Sequence, residues 1–185
     1  MMNHIDLSSV LRQTVACDLY SNLVTRPTGA AVRNQIERLL GDAHDRTLTV
    51  IDFSQVSMID FSCADEVIAK LLLRYEAENP PAEAYFLFRG VTEEHWEAIE
   101  AVLERRGLAL VLEQADGIHV VGTLSEEERR VWEMVQRLGR APVEELAEAL
   151  ASTEPDVSNS LDGLRRRRLV MRVGEEYAVV GAYRV

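Results

Sequence analysis

Seven consecutive residues, Asp60-Phe61-Ser62-Cys63-Ala64-Asp65-Glu66, bring three carboxyl groups, a hydroxyl and a thiol within two helical turns. They follow Thr47 to Phe53, a short apolar and β-branched run that reads as a buried strand. In α/β sheets, the carboxyl end of a strand beside the next helix start is the usual working edge. Ser62 stands where that helix is expected to begin, so its hydroxyl can cap free N–H groups. Asp60, Asp65 and Glu66 either complement the dipole or join Phe61 and Ser62 in a contact edge for a partner. Three acids so close also admit a Mg²⁺ or phospho-aspartate centre, but no separate lysine is placed to support one. Cys63 near a helix N-terminus could be an activated thiol. No His or Asn stands at triad spacing, which leaves it a small buried residue.

The remaining chemistry-bearing residues are scattered. His4, His44, His95 and His119 show no metal-ligand spacing, and none of the 10 glycines forms a phosphate-binding GxGxxG or GxxxxGK loop. We therefore expect no cofactor, no metal and no catalytic residue, so the chain is read as a non-enzyme.

The elements that must position this stretch follow from periodicity. After the break at Pro27-Thr28-Gly29, Val32, Ile36, Leu39 and Leu40 mark an amphipathic helix ending at Gly41. A second helix, about Ser62 to Glu78, turns Ala64, Val67, Ile68, Leu71 and Leu72 to one side and stops before Pro80-Pro81. Ala84 to Phe88 is another buried strand. Thr92 can cap a helix with Trp96, Ile99, Val102 and Leu103 inward. Leu108 to Leu112 and Ile118 to Val121 are strands joined by an Ala115-Asp116-Gly117 turn. Ile5 to Leu11 and Val15 to Val24 are read as a strand pair at a sheet edge. Strands alternating with helices imply an α/β fold with parallel pairs under crossover helices.

Beyond Gly122 the pattern changes. Ser125 with Glu128 three residues on is a capping box, opening a helix with Val131, Met134, Val135 and Leu138 inward. Pro142 at N1 opens a second helix, and Val157, Leu161 and Leu164 mark a third. Val170 to Val173, Gly174-Glu175 and Tyr177 to Val180 read as a hairpin. Three short helices followed by a hairpin make a winged helix-turn-helix arrangement. The expected units are residues 1–121 and 122–185, each with its own apolar stripes and each expected to fold independently.

The helix start resembles a known group. Asp52-Phe53-Ser54, then Val56, Ile59, Phe61, Ala64 and Asp65-Glu66, together with Thr25-Arg26-Pro27-Thr28-Gly29 and Val32-Arg33, look like the STAS-like family of uncharacterised proteins over residues 20 to 113. The stretch is more distantly similar to the STAS anti-sigma factor antagonists. That resemblance implies a STAS-like sheet with covering helices, a regulatory protein partner such as a serine kinase or an anti-sigma-like factor, and Ser62 at the phosphoacceptor position. Phe61 departs from the first serine of the antagonist motif, and Cys63-Ala64-Asp65-Glu66 replaces its Gly-Leu. Residues 125 to 180 resemble bacterial winged-helix regulators, with Ser158, Asn159 and Arg166 as the candidate DNA contacts.

Charge weighs between these partners. The net charge is −11, and residues 1–120 carry 19 acids against 10 bases. Such a chain cannot bind nucleic acid through bulk charge. Glu154 and Asp156 at the third helix start, and Glu175-Glu176 at the wing tip, repel phosphate locally. Arg165 to Arg168 read as a cationic helix end favoured by the macrodipole. With 47% apolar and 28% charged residues, two cysteines (Cys17 and Cys63) and no bilayer-length apolar run, the chain reads as a cytoplasmic globular protein. The expected function is a signalling adaptor binding a protein through the Asp60–Glu66 edge. The alternative is a transcription regulator binding DNA through the C-terminal unit, and a homodimer is also admitted.

Overall fold

The computed structural model describes residues 2–6, 22–41 and 46–182. The fold is α/β. Five strands form one sheet in the order β1 (Met2–Asp6), β3 (Thr47–Asp52), β5 (Ala84–Arg89), β6 (Ala109–Gln114) and β7 (Gly117–Gly122). The first four are parallel, and β7 returns antiparallel from β6. A short parallel pair, β2 (Asn22–Leu23) with β4 (Met58–Ile59), stands apart. The expected N-terminal strand pair falls largely on residues outside the described ones. β1 does lie at the sheet edge, but its neighbour is β3, and residues 7–21 lie outside the described residues.

Helix α1 (Arg26–Gly41) leads into β3, helix α2 (residues 61–76) links β3 to β5, and α3 (Glu93–Arg106) links β5 to β6. Pro27 falls in the first turn of α1 and does not break it, because an amide there has no helical partner to lose. The parallel strands are stepped in one direction, and right-handed crossovers then place every connecting helix on the same face. Strand alternation confirms it: Ile51, Phe86, Phe88, Leu110 and Leu112 pack with Val32, Ile36, Val67, Ile68, Ile99 and Val102. The alternate residues Leu48, Val50, Tyr85, Leu87, Ala109 and Val111 point to the other face, and they are buried too.

What buries them is the C-terminal unit. It comprises α4 (Glu126–Leu138), α5 (Val143–Leu150), α6 (Glu154–Arg166) and the hairpin β8 (Val170–Val173) with β9 (Glu176–Val179). Val131, Trp132, Val135, Leu146, Leu161, Leu164, Leu169, Val179 and Val180 share one apolar cluster with that second sheet face. The Ser125–Glu128 capping box forms as the spacing predicts. Pro142 is the N-cap of α5 and not N1, because Ala141 is held extended by two backbone bonds with Tyr177.

Polar contacts fasten the same junction. The Arg167 guanidinium donates to the carbonyls of Gly107 (3.2 Å) and Thr123 (2.6 Å) and pairs with Glu128 at 3.1 Å. Arg168 donates to the Tyr75 carbonyl at 3.0 Å and lies 5.5 Å over the Tyr85 ring. The outer edge of β7 is covered by α4, where Gln136 and Arg129 donate to the carbonyls of Ile118 and Val120. This is a common way to blunt an exposed strand edge. No described helix is long and apolar enough to cross a membrane.

A fragment ending at residue 121 would bare Leu48, Val50, Tyr85, Leu87 and Val111. It is expected to bind a hydrophobic dye, aggregate and melt without cooperativity, whereas the full chain melts in one transition; calorimetry and dye fluorescence check this. At the same junction a Glu76 carboxyl oxygen is buried without a hydrogen-bond partner. Burial pushes that carboxyl up to about 7, against the pull of Arg167 and Arg168. A raised carboxyl binds its proton more tightly in the folded chain. Its support for folding is complete below the ordinary value of 4.5 and is lost as pH rises through about 7. Glu76→Gln is therefore expected to be neutral at pH 4 and stabilising at pH 8, by on the order of 1–2 kcal/mol after solvent screening, in urea titrations.

Candidate functional site

Helix α2 starts one residue earlier than its sequence suggests, and the cap is Asp60. Its Oδ1 accepts the Cys63 N–H at 2.7 Å, and its Oδ2 accepts the Thr25 N–H at 2.9 Å. One carboxylate thus ties the start of α2 to the residue before α1. Thr25 lies at φ 72°, a conformation such an external bond can hold. Ser62 is then the second helical residue, half-buried, and the expected serine cap is corrected. Asp wins because its two oxygens span both helix starts, which a single hydroxyl cannot do.

Cys63 is buried, and its thiol donates to the Thr25 carbonyl. Burial and then the Asp60 carboxylate push it up to about 12, so it is a protonated packing residue. A Cβ on Gly29 would come within 2.9 Å of the Cys63 Cα. Glycine therefore lets α1 lie directly on the start of α2.

Asp65 and Glu66 were expected on the contact edge. They are inside, 3% and 2% exposed. The cause is the path of α2: residues 63–69 are all buried, and Asp65–Lys70 forms a π-helical turn. Cations converge on the two carboxylates from α1, α3 and α2 itself. Arg26 reaches both, at 2.9 Å to Asp65 and 2.8 Å to Glu66. Arg106 grips Asp65 with two nitrogens. Arg33 lies 3.3 Å from Glu66, and Lys70 contacts it one turn on. Burial alone would raise both carboxyls, but the cations outweigh it and hold both below the usual range. The acids are interior and the cations form the surface: Arg26, Lys70 and Arg106 remain 46%, 40% and 39% exposed. Arg105 lies 5.4 Å over the half-buried Phe61 ring.

A second acid closes the strand end. Asp52 accepts from the Ser54 amide and hydroxyl and from Arg89. Gly90, at φ +68°, lies so close that a Cβ would come within 2.5 Å of the Ser54 amide. His95 is fully buried, a place the periodicity assigned to Trp96, which is only half-buried. Its Nδ1 accepts the Thr92 N–H, so its proton is on Nε2, which donates to the Val56 carbonyl at 2.7 Å.

Elsewhere, Asn159 and Arg166 are exposed on α6 and Ser158 is half-buried. Of the arginine run, Arg165 and Arg166 are exposed, while Arg167 and Arg168 are drawn into the junction. The helix ends on the basic Arg165 and Arg166, as expected, while the last two arginines of the run are taken up by the junction. Among the described residues, no group of three or more His, Cys, Asp or Glu side chains is placed to hold a metal ion. Cys17 and His44 lie outside the described residues. Arg33 and Arg26 were visible in sequence only as part of the family-like helix start, and Lys70 only as the i,i+4 partner of Glu66. No local signal announces Arg106. Compared with known proteins, the chain matches no family model and no curated sequence. What defines it is an α/β sheet roofed by a three-helix and hairpin unit, with a helix start ringed by cations.

Asp60→Ala is expected to cost about 2 kcal/mol, the upper range for a lost cap. Ser62→Ala is expected to change stability by no more than about 0.5 kcal/mol. Urea midpoints of the two variants decide between the caps.

Proposed function

We propose that this protein is a non-enzymatic regulatory adaptor of the STAS-like kind, acting in the cytoplasm. It binds a protein partner over the start of α2, where Phe61 and Ser62 meet the rim formed by Arg26, Lys70, Arg105 and Arg106. One observation carries the reading. In a chain of net charge −11, this patch turns its carboxylates inward and its cations outward. A partner with an acidic contact segment is therefore steered to it.

Ser62 is the proposed switch. Asp65 and Glu66, already paired with cations, oppose a phosphate on Ser62 less than two free acids would. Such a phosphate adds about −1.5 to −2 charge at pH 7. It would compete with an acidic partner for the rim and release it. A serine kinase or an anti-sigma-like factor fits this role by resemblance to the antagonists. DNA binding through Ser158, Asn159 and Arg166 is the second reading. The exposure of Asn159 and Arg166 favours it, and the acids beside them oppose it.

A photo-crosslinking residue at Phe61, activated in the native cell, should trap a protein whose crosslinked peptide is acidic. Ser62→Asp and Arg105→Glu should each abolish the crosslink while shifting the melting temperature little. A crosslink that survives both substitutions rejects the docking surface. Sequence-selective duplex binding at physiological salt, lost on Asn159→Ala or Arg166→Ala, would install the second reading in its place.

A further inference from the structure

We infer that the protein carries a second docking surface, of opposite sign to the first: an acid-rimmed apolar groove beside Trp96 that takes a cationic amphipathic segment of another protein. Two hollows lie along the flank of α3 that faces β7. The larger, about 490 Å³, is lined by Val91, Thr92, Glu93, Trp96, Leu112 and Val121, with Gln114 at its end. The smaller, about 300 Å³, is lined by Trp96, Glu100, Leu103 and Glu104, with Gly122 and Thr123 as its floor. Trp96 lines both, so the indole stands between the two hollows and they make one surface along α3.

Three features set the occupant. The walls are apolar at the partly exposed Val91, Trp96 and Val121, and tryptophan is among the side chains enriched at interface hot spots. The rim is acidic: Glu93, Glu100 and Glu104 are exposed and stand along one side. Arg167, whose guanidinium reaches the Thr123 carbonyl at the far end, is already paired with Glu128. From Glu93 to Glu104 the helix rises about 16 Å, the length of three turns. A partner helix laid along it places apolar side chains in both hollows at i and i+7, and Lys or Arg side chains between them over the glutamates.

The surface differs from the cation rim in position and sign, so the two can be occupied together and the adaptor can bridge two proteins. The test uses the full chain and a fluorescent Lys/Leu amphipathic peptide of about 14 residues, roughly 21 Å long as a helix. The control is its scrambled isomer of equal charge. Anisotropy should show the amphipathic peptide binding at least about tenfold more tightly than the scramble. Trp96→Ala should remove that difference, and the exposed double variant Glu100→Lys/Glu104→Lys should weaken binding about tenfold at low salt without moving the melting temperature. Equal binding of the scramble, or an undiminished affinity in the double lysine variant, overturns the groove; the double variant decides if Trp96→Ala fails to fold. A wild-type dimer in sedimentation velocity that becomes monomeric on Glu100→Lys/Glu104→Lys would mean that a second copy fills the groove, and also overturns it.

Discussion

Every larger feature of this molecule follows from the one-directional order of its parallel strands. Right-handed crossovers then send α1, α2 and α3 to a single face, and the strands are apolar on both. Leu48, Val50, Tyr85, Leu87, Ala109 and Val111 need a cover that no crossover helix can supply. The three-helix and hairpin unit supplies it. That unit is therefore less an appendage than the second layer of the sheet. Its own core and the sheet face are one cluster.

The same constraint decides what the C-terminal arginines do. A helix end with four consecutive arginines reads, taken alone, as a cationic end favoured by the macrodipole, with Arg166 placed to meet a phosphate. With α6 laid against the sheet, Arg167 and Arg168 instead meet the carbonyls of Gly107, Thr123 and Tyr75 and the face of Tyr85. Those carbonyls sit where the α/β half ends its helices and turns, so the guanidiniums tie the ends of that half to the C-terminal unit. Only Arg165 and Arg166 stay at the surface.

On the helical face, the buried position of α2 inverts the charge of the region around it. A helix enclosed on several sides has no solvent for Asp65 and Glu66, and buried carboxylates persist only when paired and hydrogen-bonded. Four cations from α1, α2 and α3 meet that demand. Because their stems are long and their heads stay near water, the surface they leave is cationic. The flank of α3 toward β7, by contrast, keeps its glutamates outside and its tryptophan at the rim. Surfaces of opposite sign thus come from the same helix layer.

What the sequence by itself determined was local. From residue 26 onward periodicity placed the helices and the longer strands within one or two residues, the Ser125 box and the Gly174 turn formed where their spacing said, and the apolar stripes of α2 and α6 were read correctly. These features depend on neighbours within four residues, and such neighbours are visible in a string. The tertiary structure alone decided the rest. Asp60 replaces Ser62 as cap because Thr25, 35 residues away, needs the second carboxylate oxygen. Asp65 and Glu66 turn inward because Arg26 and Arg106, about 40 residues away on either side, meet them there. His95 takes the buried place assigned to Trp96 because Val56 offers it a carbonyl. An apolar run such as Tyr85-Phe86-Leu87-Phe88 says that both faces of a strand are covered, but not by what. Burial is written in composition, whereas its partner is set by how the chain closes on itself.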